Sequence, residues 1–170
     1  VNINGGQVGV NFSVAARAVT APSINITNNG ALTSDSGSIS VRSLVLTSGT
    51  INMNGAATTL TTILTSTLGG GLGETAVINL AASTTLSLGS TLVYAAVTDT
   101  SLDPNGAIIA GAGNISFSGV RTITVNDSAN ADNDLTIAAN IGLGAFTKNG
   151  AGALYLQGNN TTTANNSITA

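Results

Sequence analysis

One short pattern recurs along this chain and limits what it can fold into. Nine apolar–polar–apolar triplets occur: Ile24-Asn25-Ile26, Ile39-Ser40-Val41, Ile51-Asn52-Met53, Ile78-Asn79-Leu80, Leu86-Ser87-Leu88, Ile115-Ser116-Phe117, Ile123-Thr124-Val125, Leu135-Thr136-Ile137 and Leu154-Tyr155-Leu156. A repeat of two residues is the period of a strand, with one face in a core and the other in water. The runs are about 4–6 residues long and are bounded by Gly, Asn and Ser, as strands are. Helix formers such as Lys, Glu, Arg, Gln and Met are scarce, while Ser, Thr and Asn fill more than a third of the chain. That composition opposes helix. The fold class is therefore all-β.

Two architectures use regular short strands, the antiparallel β-sandwich or barrel and the parallel β-helix. Asn-Gly stands at Asn29-Gly30, Asn54-Gly55, Asn105-Gly106 and Asn149-Gly150. This dipeptide makes hairpins, but it also turns the corners of a coil, because both residues accept positive φ. A sandwich wants large core aromatics, and aromatics are only 3% here. Small aliphatic inward residues, Thr, Ser and Asn outward, and loose self-similarity favour the coil. The expectation is one β-solenoid segment over 1–170, with the antiparallel β-sandwich as alternative. At roughly 20–25 residues a rung it makes about seven turns, a rod of about 35 Å. Two stretches break the pattern. Leu60, Ile63, Leu64 and Leu68 have helical spacing, so 60–75 reads as a short helix, a protruding segment, or a strand and loop. Asp103 and Pro104-Asn105-Gly106 mark an inserted loop over 97–113.

Composition excludes several functions. There is no Cys, His or Trp, and charged residues are 6%. Thiolate and imidazole metal sites, haem and iron–sulfur ligation, and Ser-His-Asp or Cys-His nucleophiles are excluded. Four basic residues cannot neutralise a nucleic-acid backbone. Disorder needs low hydrophobicity and high net charge, whereas 42% of residues are hydrophobic and the net charge is -3. No apolar run is long enough to span a bilayer as a helix. The chain opens at Val1 without Met or a signal-like segment, and reads as a mature or excised fragment. The acidic pI of about 4.3 favours an extracellular or bacterial cell-surface protein.

The stretch 144–161 carries a more specific pattern. Phe146-Thr147-Lys148, Gly150, Gly152, Leu154, Leu156, Gly158, Asn160 and Thr161 resemble the autotransporter-associated β-strand repeat, also called the passenger-associated transport repeat. Ala153 and Thr162 depart from it, standing where Thr and Tyr are common. The resemblance implies a single-stranded right-handed parallel β-helix in a secreted bacterial surface protein. It implies the role of a stalk, a fibre or an adhesin passenger. From the residues themselves, Gly150 and Gly152 flank a turn, Leu154 and Leu156 face opposite to Tyr155, and Lys148 is expected to be exposed.

Candidate chemistry is thin. Asp127, Asp132 and Asp134 form the one acidic cluster and are the candidate ligands for calcium, a hard cation that takes six to eight oxygens. EF-hand and β-roll spacings are absent. Asp99 with Asp103, and Asp132 with Asp134, are the only close carboxylate pairs a glycoside hydrolase could use. Both lie in turn-like sequence, so no catalytic residue and no cofactor is assigned. Thr59-Leu60-Thr61 and Thr122-Ile123-Thr124 do not recur at one rung spacing, as an ice-binding ladder would require. The seven Asn-x-Ser/Thr triplets are the number such a composition produces by chance.

The function expected from sequence is structural. Neither end carries an evident cap, and solenoid ends need one. The expected partners are further solenoid repeats of the same chain, or copies of itself stacked head to tail into a filament. The alternative is a binding module for a surface glycan, marked by Tyr94 or Phe12 exposed beside acids.

Overall fold

The computed structural model describes residues 1–10, 18–96, 103–162 and 165–168. The chain winds in turns, each with up to three short faces. The first turn holds β1 (Asn2–Asn4) and β2 (Gln7–Val10). The second holds β3 (Ala18–Thr27) and β4 (Ala31–Ser34), and the third β5 (Ser38–Leu46) and β6 (Gly49–Met53). The fourth is divided into β7 (Thr59–Thr62), β8 (Ser66–Gly69) and β9 (Ala76–Leu80). The fifth has β10 (Thr85–Leu88), β11 (Leu92–Ala95) and β12 (Ala107–Ala110). The sixth has β13 (Asn114–Val125) and β14 (Leu135–Ile137), and the seventh β15 (Asn140–Asn149) and β16 (Leu154–Leu156). A two-residue β17 (Ser167–Ile168) begins an eighth.

Every strand pairing is parallel and joins one turn to the next. Parallel neighbours cannot be joined by a tight hairpin and need a long return path. Here the other faces of the turn are that path. This defines a parallel β-solenoid and removes the antiparallel sandwich. The Asn-Gly dipeptides turn corners instead of hairpins.

Face I carries β1, the ends of β3, β5, β13 and β15, and β8, β11 and β17. Face II is the seven-stranded sheet of β2, β4, β6, β9, β12, β14 and β16. Face III carries the starts of β3, β5, β13 and β15, with β7 and β10. The chain runs from face I to II to III and back to I. The corner from III to I is bent inside the strand. In β5 the in–out alternation slips at Arg42 and Ser43, which both face out. β13 and β15 slip likewise, with register shifts near Ser116 and Val120. An extra residue turns the strand, as a β-bulge does.

Columns of mostly aliphatic side chains run inward from every face. Leu32, Ile51, Ile78, Ile109, Ile137 and Leu156 stack on face II. Ile39, Leu60, Leu86, Ile115 and Ile141 stack on face III. Ile26, Leu46, Leu68, Tyr94 and Val125 stack on face I. Nearly all are fully buried, each worth about 1.5–3 kcal/mol. The helical spacing of 60–68 is not a helix. Leu60 and Leu68 point inward from β7 and β8, and Ile63 and Leu64 are exposed at the corner between them.

Rungs vary from 19 residues (Leu32 to Ile51) to 31 (Tyr94 to Val125). The inserted loop expected over 97–113 falls partly outside the described residues. Its second half is structured, with β12 in register beneath β14.

Candidate functional site

The acids fall where the chain leaves face I for face II. The connections β11–β12 and β13–β14 are the longest at this corner. Asp134 is buried, and both its oxygens are used. Oδ1 accepts the Ser128 N–H at 2.7 Å and Oδ2 accepts the Ala153 N–H at 2.8 Å, in the next turn. The carboxylate thus ties two successive corners together. Burial holds its pKa above the ordinary aspartate value, against the two N–H groups that favour ionisation, and Asp127 adds repulsion. Asp127 and Asp132 are exposed. The three candidate calcium ligands therefore do not converge, and among the described residues no three acids gather in a way that could hold a metal.

Asp103 is the residue sequence reading underweighted. It was expected in an open loop and is buried. Oδ2 accepts the Ala129 N–H at 3.2 Å, and the backbone carbonyl accepts Asn130 Nδ2 at 2.8 Å. Ser128 Oγ donates to the Pro104 carbonyl at 2.6 Å, and the Tyr94 hydroxyl reaches the same oxygen at 3.5 Å. Tyr94 is fully buried. Its ring lies over Gly69, where a Cβ would come within 2.7 Å of the ring and φ is +84°. Desolvation raises the Tyr94 pKa above 10.0, and Asp134 and Asp103 push it further up. Tyr94, Asp103, Ser128 and Asp134 thus form one buried knot that folds the two long corners onto the stack. Both Asp134 oxygens and Asp103 Oδ2 are committed to backbone N–H groups and hold these loops, while Asp103 Oδ1 is buried without a hydrogen-bond partner.

The other candidates are separated. Asp99 and Phe12 lie outside the described residues. Asp132 faces water while Asp134 faces the core. Of the two aromatics expected to mark a glycan surface, Tyr94 is buried and Phe12 lies outside the described residues. The hydroxyl ladder is more regular than the sequence suggests. Thr20, Ser40, Thr61, Ser87 and Ser116 stand side by side on face III, with Thr59, Thr85, Asn114 and Asn140 in a second column. The sequence shows no Thr-x-Thr recurrence here because Ser stands in place of Thr at three of these five rungs. Thr122 and Thr124 are on face I.

Lys148 also departs from expectation. It is buried, 8% exposed. In register it stands on Ile123, in an inward column of face I, with Ile168 above. Its ammonium donates to the Gly150 carbonyl, and among the described residues it has no other hydrogen bond and no ion pair. Beside it is a cavity of about 410 Å³, lined by Phe146, Leu154, Leu156, Asn166 and Ile168 as well as Lys148. Gly150 and Gly152 turn the corner next to it. A Cβ on Gly152 would lie 2.4 Å from the Asn126 carbonyl oxygen, so only glycine fits against the turn below. As expected, Leu154 and Leu156 pack toward the core and Tyr155 faces out.

The ladder, the columns and the polar faces define the class of the molecule, a parallel β-solenoid. No family model, no curated protein and no solved structure matches the chain. No helix among the described residues is long and apolar enough to cross a membrane.

Proposed function

We propose that this chain is a structural segment, a rigid length of stalk or fibre, in a secreted bacterial surface protein. The observation that carries the reading is the unbroken ladder from Ile3 to Ile168, in which inward positions go to the stack and outward positions are mostly Thr, Ser and Asn. A rod of this kind transmits length. Each turn adds about 4.8 Å and touches only its neighbours. The buried acids at the long corners, Asp103 and Asp134, accept from backbone N–H groups of the turns themselves, and among the described residues no three acids gather. The likeness of 144–161 to the passenger repeat supports placement at a cell surface, and that stretch forms one inter-turn unit, β15 to β16 with the glycine corner between.

Protease shaving of intact producing cells, followed by peptide mass spectrometry, tests the location. Recovery of peptides from this chain before cell lysis supports the reading, and recovery only after lysis refutes it. Small-angle scattering of the isolated chain tests the shape: a rod cross-section is expected, and a sphere-like profile refutes the spacer role.

A further inference from the structure

The hydroxyl ladder of face III is interrupted at one place. In turns three to six the residue after the inward aliphatic carries a hydroxyl, at Ser40, Thr61, Ser87 and Ser116. In the seventh turn that residue is Gly142, after Ile141. The register slip between β13 and β15 sets Leu143 beside Ser116 instead, and Leu143 stands 57% exposed. The result is an open groove of about 330 Å³, lined by Thr85, Asn114, Ile115, Ser116, Gly142 and Leu143. The fold does not require this gap. Gly142 has no positive φ, and a Cβ there would meet only Asn114, at 3.7 Å or more. A threonine, which strands favour, would complete the ladder. Nor does the groove lie at the end of the rod. The turn above it is in place, with the Thr161 N–H donating to the Ile141 carbonyl at 2.8 Å. The groove opens sideways, where chain stacked on the end does not reach.

The chemistry of the groove is that of a neutral sugar site. Among the described residues, the side chains of Thr85, Asn114 and Ser116 make no hydrogen bond to the protein, so their donors and acceptors are open to a ligand. No side chain of the two outward columns, from Thr20 to Asn140, is charged. The backbone groups of these strands are spent in the parallel ladder, so a peptide finds no edge to pair with. A pyranose ring carries hydroxyls on its rim and C–H groups on its faces, which matches a polar rim beside an apolar wall. We propose that face III binds a neutral, extended, β-linked oligosaccharide along the rod axis, with one ring seated in the groove. The hydroxyls of that ring pair with Thr85, Asn114 and Ser116, and its C–H face rests on Leu143. The following rings run over Ser87, Thr61 and Ser40, whose spacing of about 4.8 Å is near the advance of one ring in such a chain.

The test titrates the isotope-labelled chain with cellohexaose, an extended β-linked glucan, and with maltohexaose, its coiled α-linked isomer, and follows amide shifts by NMR. Cellohexaose is expected to shift the amides of Ser116, Gly142 and Leu143 most and to bind about tenfold more tightly than maltohexaose, the effect of one or two contacts. Gly142→Thr and Gly142→Ser each place a side chain in the groove, and Leu143→Ser removes its wall. All three are expected to fold as the parent does, by circular dichroism and urea midpoint. The Gly142 variants are expected to lose about tenfold in affinity for cellohexaose, and Leu143→Ser to bind more weakly than the parent. Thr136→Ala, on face II, is expected to leave the affinity unchanged. No shift with cellohexaose, equal affinity for the two isomers, shifts spread over faces I and II, or unchanged affinity in the Gly142 variants overturns the proposal. So does failure of both Gly142 variants to fold, which would show that the fold itself requires the glycine.

Discussion

Asp134→Ala isolates the clasp that holds the long corners. The substitution removes both acceptors at once, leaving the Ser128 and Ala153 N–H groups without partners. A buried donor left unmade costs about 1–3 kcal/mol. Part of that loss is returned, because a desolvated carboxylate is no longer buried, and the raised pKa of Asp134 shows that this desolvation is felt. The net destabilisation works out at about 3 kcal/mol, a large share of a domain stability of about 5–15 kcal/mol. With a urea dependence of about 2 kcal/mol per molar, the midpoint moves down by about 1.5 M. Asp127→Asn and Asp132→Asn, at exposed positions, are expected to stay within about 0.5 kcal/mol. Hydrogen exchange supplies the local readout, since the Ser128 and Ala153 amides lose protection in Asp134→Ala beyond what the global change requires. A midpoint shift below about 0.3 M, or equal shifts in all three variants, would refute the clasp.

The sign of the pH dependence follows from the same group. A carboxyl whose folded pKa is raised binds its proton more tightly in the native state, so its contribution is fullest below the unfolded value and declines as pH rises through the folded one. In Asp134→Asn the slope of stability between about pH 4 and neutrality should be less negative than in the parent chain.

Further substitutions test other parts of the stack. Tyr94→Phe is expected to remove a loss of stability that begins above about pH 10, because there the phenol ionises in the unfolded chain while the buried native one, its pKa raised, stays protonated, which favours unfolding; urea midpoints at pH 8 and pH 11 read it. Ala57 and Ser83 hold φ of 57° and 67°, a region that costs a non-glycine residue about 1 kcal/mol or more, so Ala57→Gly and Ser83→Gly should each raise the midpoint. Gly152→Ala should destabilise by more than about 2 kcal/mol, since its Cβ would sit 2.4 Å from the Asn126 carbonyl oxygen. Ser66 Oγ donates to Thr62 Oγ1 at 2.9 Å inside the core, so Thr62→Val alone should cost about 1–2 kcal/mol, and pairing it with Ser66→Ala should recover part of that in a double-mutant cycle.

The strands were legible because each needs only local information. The nine alternating triplets all lie in strands, since a half-buried strand imposes period 2 wherever it sits. Parallel stacking was less legible, because alternation is the same in a sandwich. Small inward aliphatics and few aromatics tipped the balance toward a narrow core. The side-chain roles that were missed depend on register across turns. Lys148 is inward because Ile123 lies below it and Ile168 above it, relations that span 25 and 20 residues. Asp134 is buried because its partners are amides at Ser128 and Ala153, on separate corners. The corners at Ala57 and Ser83 left no signal either. Neither residue prefers positive φ, and each turn is held instead by a threonine, Thr58 to the Gly55 carbonyl and Thr84 to that of Ala81.

The uneven rung lengths and the buried acids have one physical cause. A solenoid core tolerates no change in the length of its strands, since each inward residue must meet its mate in the turns below and above. Extra residues can enter only at corners. On the corner from face I to face II, the chain passes from Leu46 to Gly49 in one turn, but from Ala95 to Ala107 and from Val125 to Leu135 in two later ones. Residues in a long corner have no strand beside them to take their N–H groups, and folding them against the stack buries those groups. Asp103 and Asp134 stand at the two long corners and accept from Ala129, Ser128 and Ala153. The carboxylates replace the missing ladder. A long corner without such an acceptor must stand away from the rod, where water serves its backbone. Two of the seven acids of this sparsely charged chain are therefore buried where the rungs are longest.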